Sequence, residues 1–169
     1  NLDALKLLQE NYLGKVKMIY IDPPYNTGND FIYEDDFAED VESYKLRSNQ
    51  KDEEGNRLTH NTSTNGRFHS DWLSMIYARL KLARNLLTDD GVIFISIDDN
   101  EGSNLHRLCD EIFGGENFVA QLTVIVKPEG RRYGFFAKTH DYMLVYCKNH
   151  EYANLNEVLV EGLEHPHSD

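Results

Sequence analysis

IYIDPPYNTGNDF, residues 19–31, is an apolar, strand-forming run that stops abruptly on an aspartate, two prolines and a tyrosine. Proline lacks an amide hydrogen and keeps the residue before it out of helical geometry, so the chain stays extended here without donating to a neighbouring strand. In an open α/β sheet, ligands bind beyond the carboxyl ends of the strands. The stretch therefore predicts a short buried strand at residues 16–21 that delivers residues 22–25 to a ligand site.

The chemistry of residues 22–25 suits a flat group that carries an amino group. Asp22 supplies a carboxylate, Pro23 a backbone carbonyl and Tyr25 an aromatic face. Each amino hydrogen would meet an acceptor while the ring stacks on the tyrosine, and an amino nucleobase has this shape. Acceptors on the amino group favour the pyramidal nitrogen of an attacking amine, and the carboxylate also attracts a cationic methyl donor. The alternative interpretation is a proline turn that only ends the strand.

Apolar periodicity predicts the remaining elements. A helix is predicted over residues 71–87 because its apolar residues share one face, and Ser70 or Asp71 is its expected N-cap. The continuous apolar run at 92–97 predicts a parallel strand covered on both sides. The further predictions are a turn at 88–91, a helix between Ser103 and Gly114, and strands at 118–126 and 141–147. This order predicts a wound α/β sheet that ends in an antiparallel strand pair.

The length of 169 residues fits one domain at residues 1–150, with a long polar insert at 26–70 and an acidic tail at 151–169. A net charge of −12 argues against a nucleic-acid partner, which usually requires a basic surface. The charge is concentrated, however. Residues 29–54 contain ten acidic and three basic side chains, and the tail contains five acidic and no basic ones. The rest of the chain is neutral, so the overall charge does not exclude a nucleic-acid partner.

The sequence contains no run of apolar residues long enough to span a membrane and no signal-peptide pattern, so a cytoplasmic protein is expected. Cys109 and Cys147 match no paired metal spacing and lie within apolar patterns, which predicts two reduced thiols in the core. No metal site is expected, because His165 and His167 are interpreted as part of a frayed terminus.

Four blocks of sequence, in this order, resemble one family. The blocks are IDPPYNTGNDFIYEDDF, NGRFHSDWLSMIYARLKLARNLL, DDGVIFISIDDNE and THDYMLVYCKN. Over residues 1–150 the chain resembles the amino-methylating DNA methyltransferases of the beta group, and more narrowly the modification (Mod) subunits of type III restriction-modification systems. The resemblance implies a Rossmann-like sheet of the S-adenosylmethionine-dependent methyltransferases. It also implies methyl transfer to adenine N6 of a base flipped out of DNA, with a Mod homodimer and a restriction (helicase-nuclease) subunit as further partners.

The resemblance assigns roles to the motif at the end of the first strand. Asp22 and Pro23 would accept from the adenine amino group, Pro24 completes the motif, and Tyr25 would stack on the flipped base. Asp22 would also lie beside the cationic methyl donor.

A second aromatic side chain is expected on the opposite face of the base. Phe136 is the preferred candidate and Phe135 the other, although packing under the loop explains either residue equally well. The loop also contains Arg131 and Arg132, which are candidates for DNA phosphate contacts or for simple solvation.

Four other polar or aromatic residues are given structural roles. Asp98 and Asp99 end a strand, where they could approach the cofactor side, and capping of the following turn explains them equally well. His69 and Trp72 are interpreted as the start of a helix with a buried tryptophan.

The sequence departs from the family in one respect, because it contains no Gly-x-Gly turn for the cofactor. The chain is therefore interpreted as the catalytic half of a methyltransferase, inactive alone and with an incomplete cofactor site. The alternatives are methylation of cytosine N4 or another amino group, a magnesium nuclease using Asp22, Asp98 and Asp99, and a non-catalytic assembly surface.

Overall fold

In this computed structural model, the described residues are 1–28, 31–33, 58–60, 67–128, 130–133 and 136–156. Three α-helices, eight strands and a single 3₁₀ turn lie within these ranges. In chain order they are α1 (Leu2–Tyr12), β1 (Val16–Ile21), β2 (Phe31–Tyr33), β3 (Leu58–His60), α2 (Phe68–Leu86), β4 (Leu87–Ile97), α3 (Gly102–Phe113), the 3₁₀ turn (Gly115–Asn117), β5 (Phe118–Ile125), β6 (Arg131–Tyr133), β7 (Phe136–Lys138) and β8 (His140–Cys147).

The main sheet has four strands in the order β1-β4-β8-β5. β1 runs parallel to β4, and Ile19 pairs with Ile93 in their shared register. β8 runs antiparallel to both of its neighbours, β4 and β5. The predicted α/β sheet with a final antiparallel strand pair is therefore confirmed. Parallel β1 and β4 both end at one edge of the sheet, which is also where β8 begins and β5 ends.

Helices α2 and α3 pack on one face of this sheet and form the core with it. The buried cluster includes Trp72 and Leu80 of α2, Leu105 of α3, and Ile93 and Ile95 of β4. Apolar side chains recur at helical spacing on α2 and at alternate positions on β4, so each element presents one continuous stripe to the other.

The opposite face of the sheet is more open. Met18 and Tyr20 of β1 and Leu122 of β5 are exposed on that face, whereas Val92 of the central strand β4 is buried. The predicted coverage of β4 is thus confirmed, but its parallel pairing holds only on the side of β1.

The element boundaries correct several predictions. Helix α2 begins at Phe68 with Arg67 as its N-cap, rather than at Ser70 or Asp71. The predicted turn at 88–91 lies inside β4 as a bulge, because the pairing with β1 skips these residues. Helix α3 ends at Phe113 with Gly114 as its C-cap, as expected, and the backbone φ of 95° at Gly114 suits a residue without a Cβ atom.

Three further elements were not predicted. Helix α1 packs against α2, where the Gln9 side chain donates to the Leu82 carbonyl at 3.1 Å. The polar insert contains the antiparallel β2-β3 ribbon and the first turn of α2, and the loop before β8 contains the antiparallel β6-β7 ribbon. Short ribbons of three residues per strand are too brief to give a clear alternating pattern in sequence.

The two cysteines are free and buried, as predicted, and burial raises the pKa of both thiols above the ordinary value. None of the described helices is long and apolar enough to cross a membrane. His165 and His167 of the acidic tail lie outside the described residues.

We expect Ile95→Ala to lower the free energy of unfolding by about 2–5 kcal/mol, because Ile95 is fully buried in the central strand and its loss leaves a cavity. Urea denaturation followed by circular dichroism measures the change. The control is Leu7→Ala on α1, where the side chain is 65% exposed and a change within about 0.5 kcal/mol is expected. Equal losses in the two variants would contradict this description of the core.

Candidate active site

A cleft of about 740 Å³ opens at the edge of the sheet where β1 and β4 end. Tyr25 and Thr27 line it from the segment after β1, and Asp98, Asp99 and Asn100 line it from the turn after β4. The other wall consists of Val126, Lys127, Lys138, Thr139, His140 and Asp141. The topology places the cleft at the carboxyl ends of the two parallel strands, which is the usual ligand site of an open α/β sheet.

The loop after β1 is fastened on both sides of Tyr25. The buried indole of Trp72 donates from Nε1 to the Pro24 carbonyl at 2.7 Å. The side chain of Asn26, which is 1% exposed, donates from Nδ2 to Glu101 Oε1 at 2.5 Å. The Asn26 backbone has a positive φ of 58°, a conformation that asparagine tolerates better than most residues. These contacts connect the loop to α2 and to the start of α3.

Glu101 is the centre of a buried polar cluster. Its side chain is fully buried, and its Oε1 atom lies 2.5 Å from His69 Nδ1 as well as accepting from Asn26. Its Oε2 atom accepts from Asn104 Nδ2 at 2.8 Å. Because carboxylate oxygens only accept, the hydrogen bond to His69 requires a proton on Nδ1. Both oxygens of a buried acid are therefore satisfied, which offsets the cost of its burial.

Tyr25 and Asp22 lie next to each other at the cleft. Burial, the charge of Asp22 and a hydrogen bond to that carboxylate raise the pKa of the Tyr25 hydroxyl above its ordinary value. The phenol therefore stays protonated at neutral pH and serves as a donor to Asp22. Tyr25 is half-buried and lines the cleft, whereas Asp22 is exposed and lies beside Tyr25 rather than in the cleft lining.

Lys138 of β7 is surrounded by carboxylates on the other side of the cleft. Its Nζ atom lies 3.3 Å from Asp98, 3.1 Å from Asp99 and 3.5 Å from Asp141. Burial lowers the pKa of Lys138, but hydrogen bonds and the charges of Asp99 and Asp98 outweigh it, and the pKa lies above the ordinary value. Three acids, Asp98, Asp99 and Asp141, outnumber the two lysines of the cleft, Lys127 and Lys138, so the lining as a whole has a small negative charge.

Asp98 and Asp99 differ in their surroundings. Asp98 also caps the turn after β4, because both of its oxygens accept from Asn100 at 2.9 Å, in agreement with the predicted role. Burial raises the pKa of Asp99, but hydrogen bonds from Lys138 and Tyr142 outweigh it and hold the pKa below the ordinary value.

The remaining candidate residues lie on the β6-β7 ribbon or outside the described residues. Arg131 and Arg132 belong to β6, which pairs with β7, and Arg132 is opposite Ala137. Phe136 begins β7, whereas Phe135 lies outside the described residues. No group of three or more His, Cys, Asp or Glu side chains among the described residues is arranged to hold a metal ion. The nuclease alternative therefore has no gathered ligand set of Asp22, Asp98 and Asp99.

Sequence reasoning missed Asn26, Glu101 and the pairing of Lys138. Asn26 directly follows the Asp-Pro-Pro-Tyr motif, and an asparagine after it suggests a positive φ but not a partner 75 residues away. The sequence around Glu101 contains no sign of its burial, and His69 is interpreted above only as part of a helix start. Lys138 lies near Arg131 and Arg132 in sequence, but its charge is directed at Asp98, Asp99 and Asp141.

The fold is similar to that of solved DNA methylases. It superimposes on the crystal structure of M1.HpyAVI in complex with SAM with a TM-score of 0.51 and 14% sequence identity, covering 96% of this chain and 57% of that one. Residues 16–167 match the family described as DNA methylase. The chain belongs to the DNA methylase family.

Two curated relatives are modification subunits of type III restriction-modification enzymes. The chain is 46% identical over 166 residues to the EcoPI Mod subunit of Escherichia phage P1, covering 97% of this chain and 26% of that subunit. It is 45% identical over 152 residues to the EcoP15I Mod subunit of Escherichia coli, covering 89% of this chain and 23% of that subunit. The resemblance identified from the four sequence blocks is confirmed. The chain spans about a quarter of the length of these relatives.

Replacing Lys138 with methionine should raise the pKa of Asp99 toward its ordinary value, because the main cationic hydrogen-bond donor is lost. Carbon-13 NMR titration of the side-chain carboxyl group of Asp99 measures the shift.

A depressed folded-state pKa of Asp99 stabilises the protein above the unfolded pKa of about 4, and that contribution disappears as the pH falls through the folded value. The variant should therefore lose more stability at pH 7 than at pH 3. Lys15→Met, on the exposed turn after α1, is the control, and an unchanged Asp99 pKa in Lys138→Met would contradict the assignment.

Proposed function

We propose that this chain provides the catalytic half of a DNA methyltransferase that transfers a methyl group from S-adenosylmethionine to adenine N6. The observation that carries the proposal is the Asp-Pro-Pro-Tyr segment at the carboxyl end of β1, with Tyr25 in the wall of a cleft and the Asp22 carboxylate beside it. Membership of the DNA methylase family supports the reaction class, and the two Mod relatives support a place in a type III restriction-modification system.

In this proposal, the adenine amino group lies against Asp22 and the carbonyl of Pro23. The nitrogen lone pair of adenine is delocalised into the ring, so the amino group is a poor nucleophile. Oxygens that accept both amino hydrogens favour the pyramidal nitrogen formed during attack and thus bind the transition state more tightly than the ground state. The Pro24 carbonyl accepts a hydrogen bond from Trp72 and is therefore not available to the adenine amino group. Pro24 instead sets the distance between Pro23 and Tyr25 along the chain.

Tyr25 provides the aromatic surface for a flipped base. The ring lines the cleft, and base stacking on an aromatic side chain contributes about 1–3 kcal/mol. The Tyr25 hydroxyl donates to Asp22 when no substrate is bound, which fixes both side chains before the base arrives. Phe136 at the start of β7 is proposed to face the other side of the base, and Arg131 and Arg132 of β6 to contact DNA phosphates.

The cleft fits the charge of the cofactor. S-adenosylmethionine supplies a methyl group on a positively charged sulfur when it binds, and the carboxylates of Asp22, Asp98 and Asp99 make this edge of the sheet negative. Opposite charges at short range favour binding of the cation and help to orient it. The Gly-x-Gly turn that holds the cofactor in related enzymes is absent from this sequence, so these residues form only part of the cofactor site.

The wider assembly follows from the same proposal. Residues 1–150 act as the catalytic unit, the acidic segment at 151–169 leads to the next region, and the full-length protein pairs with a second Mod copy and a restriction subunit. A DNA substrate implies that the enzyme works in the cytoplasm. Methylation of cytosine N4 remains the alternative reaction, and mass mapping of the methylated nucleoside in the product DNA distinguishes the two.

Tyr25→Ala in the full-length protein should lower kcat/KM for DNA about 5- to 150-fold, because the stacking surface for the base is lost. Tyr25→Phe keeps the ring and loses only the hydroxyl that donates to Asp22, so its kcat/KM should stay within about threefold of the wild type. Methyl incorporation into duplex DNA, followed by mass spectrometry of the nucleosides, measures both variants. Equal activity of the alanine and phenylalanine variants, or a product other than N6-methyladenine, would contradict the proposal.

The isolated chain of 169 residues should not methylate DNA and should bind S-adenosylmethionine weakly or not at all, because it contains no Gly-x-Gly turn. Isothermal titration calorimetry measures cofactor binding directly. The full-length protein, titrated under the same conditions, is the positive control. Micromolar binding by the isolated chain would show that its cofactor site is complete without the glycine-rich turn.

A further inference from the structure

Glu101 is the most buried charged side chain in the part of the chain that the structure describes. Burying a carboxylate is costly unless every oxygen is paired, and removal of one partner leaves that cost uncompensated. Glu101 meets this condition through Asn26, His69 and Asn104. It precedes α3 as the N-cap residue, yet its side chain makes no capping hydrogen bond, so the carboxylate is directed entirely at other side chains.

The contact with Asn26 links this buried acid to the loop that contains the Asp-Pro-Pro-Tyr motif. Asn26 is the residue after Tyr25, and its Nδ2 atom lies 2.5 Å from Glu101 Oε1. The left-handed backbone at Asn26 turns the chain immediately after Tyr25. A side chain fixed at this turn fixes the direction in which the loop leaves the cleft.

Tyr25 is thereby held from both neighbours along the chain. Trp72 binds the carbonyl of Pro24 on one side, and Glu101 binds the side chain of Asn26 on the other. Trp72 belongs to α2 and Glu101 precedes α3, so the two attachments come from separate parts of the core. A shift of either attachment moves the backbone of Tyr25 and with it the ring that lines the cleft.

We propose that Glu101 is a positioning residue for methyl transfer, which sets the Tyr25 ring against the flipped base by holding the Asn26 side chain. Glu101 does not line the cleft and therefore acts through Asn26 rather than by contact with the substrate. The inference rests on the proposed function, because it requires that Tyr25 stacks on a base.

Glutamine is the informative replacement at this position. It keeps the size of Glu101, but it has one acceptor oxygen and an amide group that donates. Asn26 and His69 share the Oε1 atom, whereas Asn104 alone binds Oε2, so a glutamine with its oxygen at the Oε1 position keeps the first two donors and leaves Asn104 facing an amide nitrogen. In Glu101→Gln the charge-assisted hydrogen bond from Asn26 becomes a neutral one of about half the strength, while the core around it retains its volume.

The test measures Glu101→Gln in the full-length protein with two duplexes, one carrying the target adenine and one carrying 2-aminopurine in its place. We expect kcat to fall about 10- to 100-fold, because misplacement by an ångström costs this much. The KM values for DNA and for S-adenosylmethionine should stay within about twofold. The fluorescence of 2-aminopurine should be brighter than with the wild type, because a displaced Tyr25 ring no longer quenches the flipped base, and Tyr25→Ala provides the reference for a lost ring.

Two further variants separate positioning from general destabilisation. Glu111→Gln, an exposed acid on the same helix, should leave kcat and the fluorescence unchanged. Asn26→Asp combined with Glu101→Gln reverses donor and acceptor across the contact and should restore part of the lost kcat. If Glu101→Gln fails to fold, Asn26→Gly removes the same contact from the loop side, keeps the positive φ without strain, and should show the same loss of kcat and the same brighter fluorescence.

Two results would overturn the inference, and they have different meanings. If the wild type forms N6-methyladenine but Glu101→Gln keeps its kcat and its 2-aminopurine fluorescence, Glu101 has no positioning role and the proposed function stands. If the wild type forms no N6-methyladenine, the proposed function fails and this inference fails with it.

Discussion

The shape of the loop after β1 depends on two hydrogen bonds to groups buried in the core. Trp72 holds the carbonyl before Tyr25, and Glu101 holds the side chain after it. The loop has few regular backbone partners of its own, because two successive prolines remove two amide donors from residues 22–25. The conformation of the loop is therefore fixed by contacts with Trp72 of α2 and with Glu101 at the start of α3, and both helices pack against the same face of the sheet. The packing of the 14 residues in this buried cluster thus fixes the geometry of one short segment at the cleft.

Charge at the cleft is arranged by a second set of contacts. Lys138 connects β7 with the ends of β4 and β8 by pairing with Asp98, Asp99 and Asp141. The lysine anchors the β6-β7 ribbon beside the cleft without neutralising all of its acids. A negative pocket is compatible with a cationic methyl donor, whereas phosphate contacts would have to come from other segments. The strongly acidic composition of the chain is consistent with binding of a cation at the cleft and phosphate contacts elsewhere.

Much of this organisation was predictable from sequence. The strand at 16–21 was predicted at its observed boundaries, because a run of apolar residues ending in Asp-Pro-Pro has few other structures available. Helix α3 and its final glycine followed from apolar spacing and from the conformational freedom of Gly114. By contrast, the start of α2 was misplaced because Arg67, a poor capping residue, stands where the helix begins.

The contacts that fix the loop were beyond sequence reasoning for a physical reason. Asn26 and Glu101 are 75 positions apart, and nothing in the pattern around either residue specifies the other. Their meeting depends on how α3 follows β4 across the sheet, which is a property of the tertiary fold. The same is true of Lys138, whose neighbours come from two different strands.

Trp72 is the single tryptophan of the chain, and its indole is bonded directly to the backbone of the Asp-Pro-Pro-Tyr segment. Indole emission depends on the polarity and hydrogen bonding around Nε1, so the fluorescence of Trp72 reports on the conformation of the backbone at Pro24. Arrival of a ligand that moves Pro24 would change the emission wavelength or intensity without any added dye. Rapid-mixing kinetics of this segment are therefore within reach of an unlabelled sample of this chain.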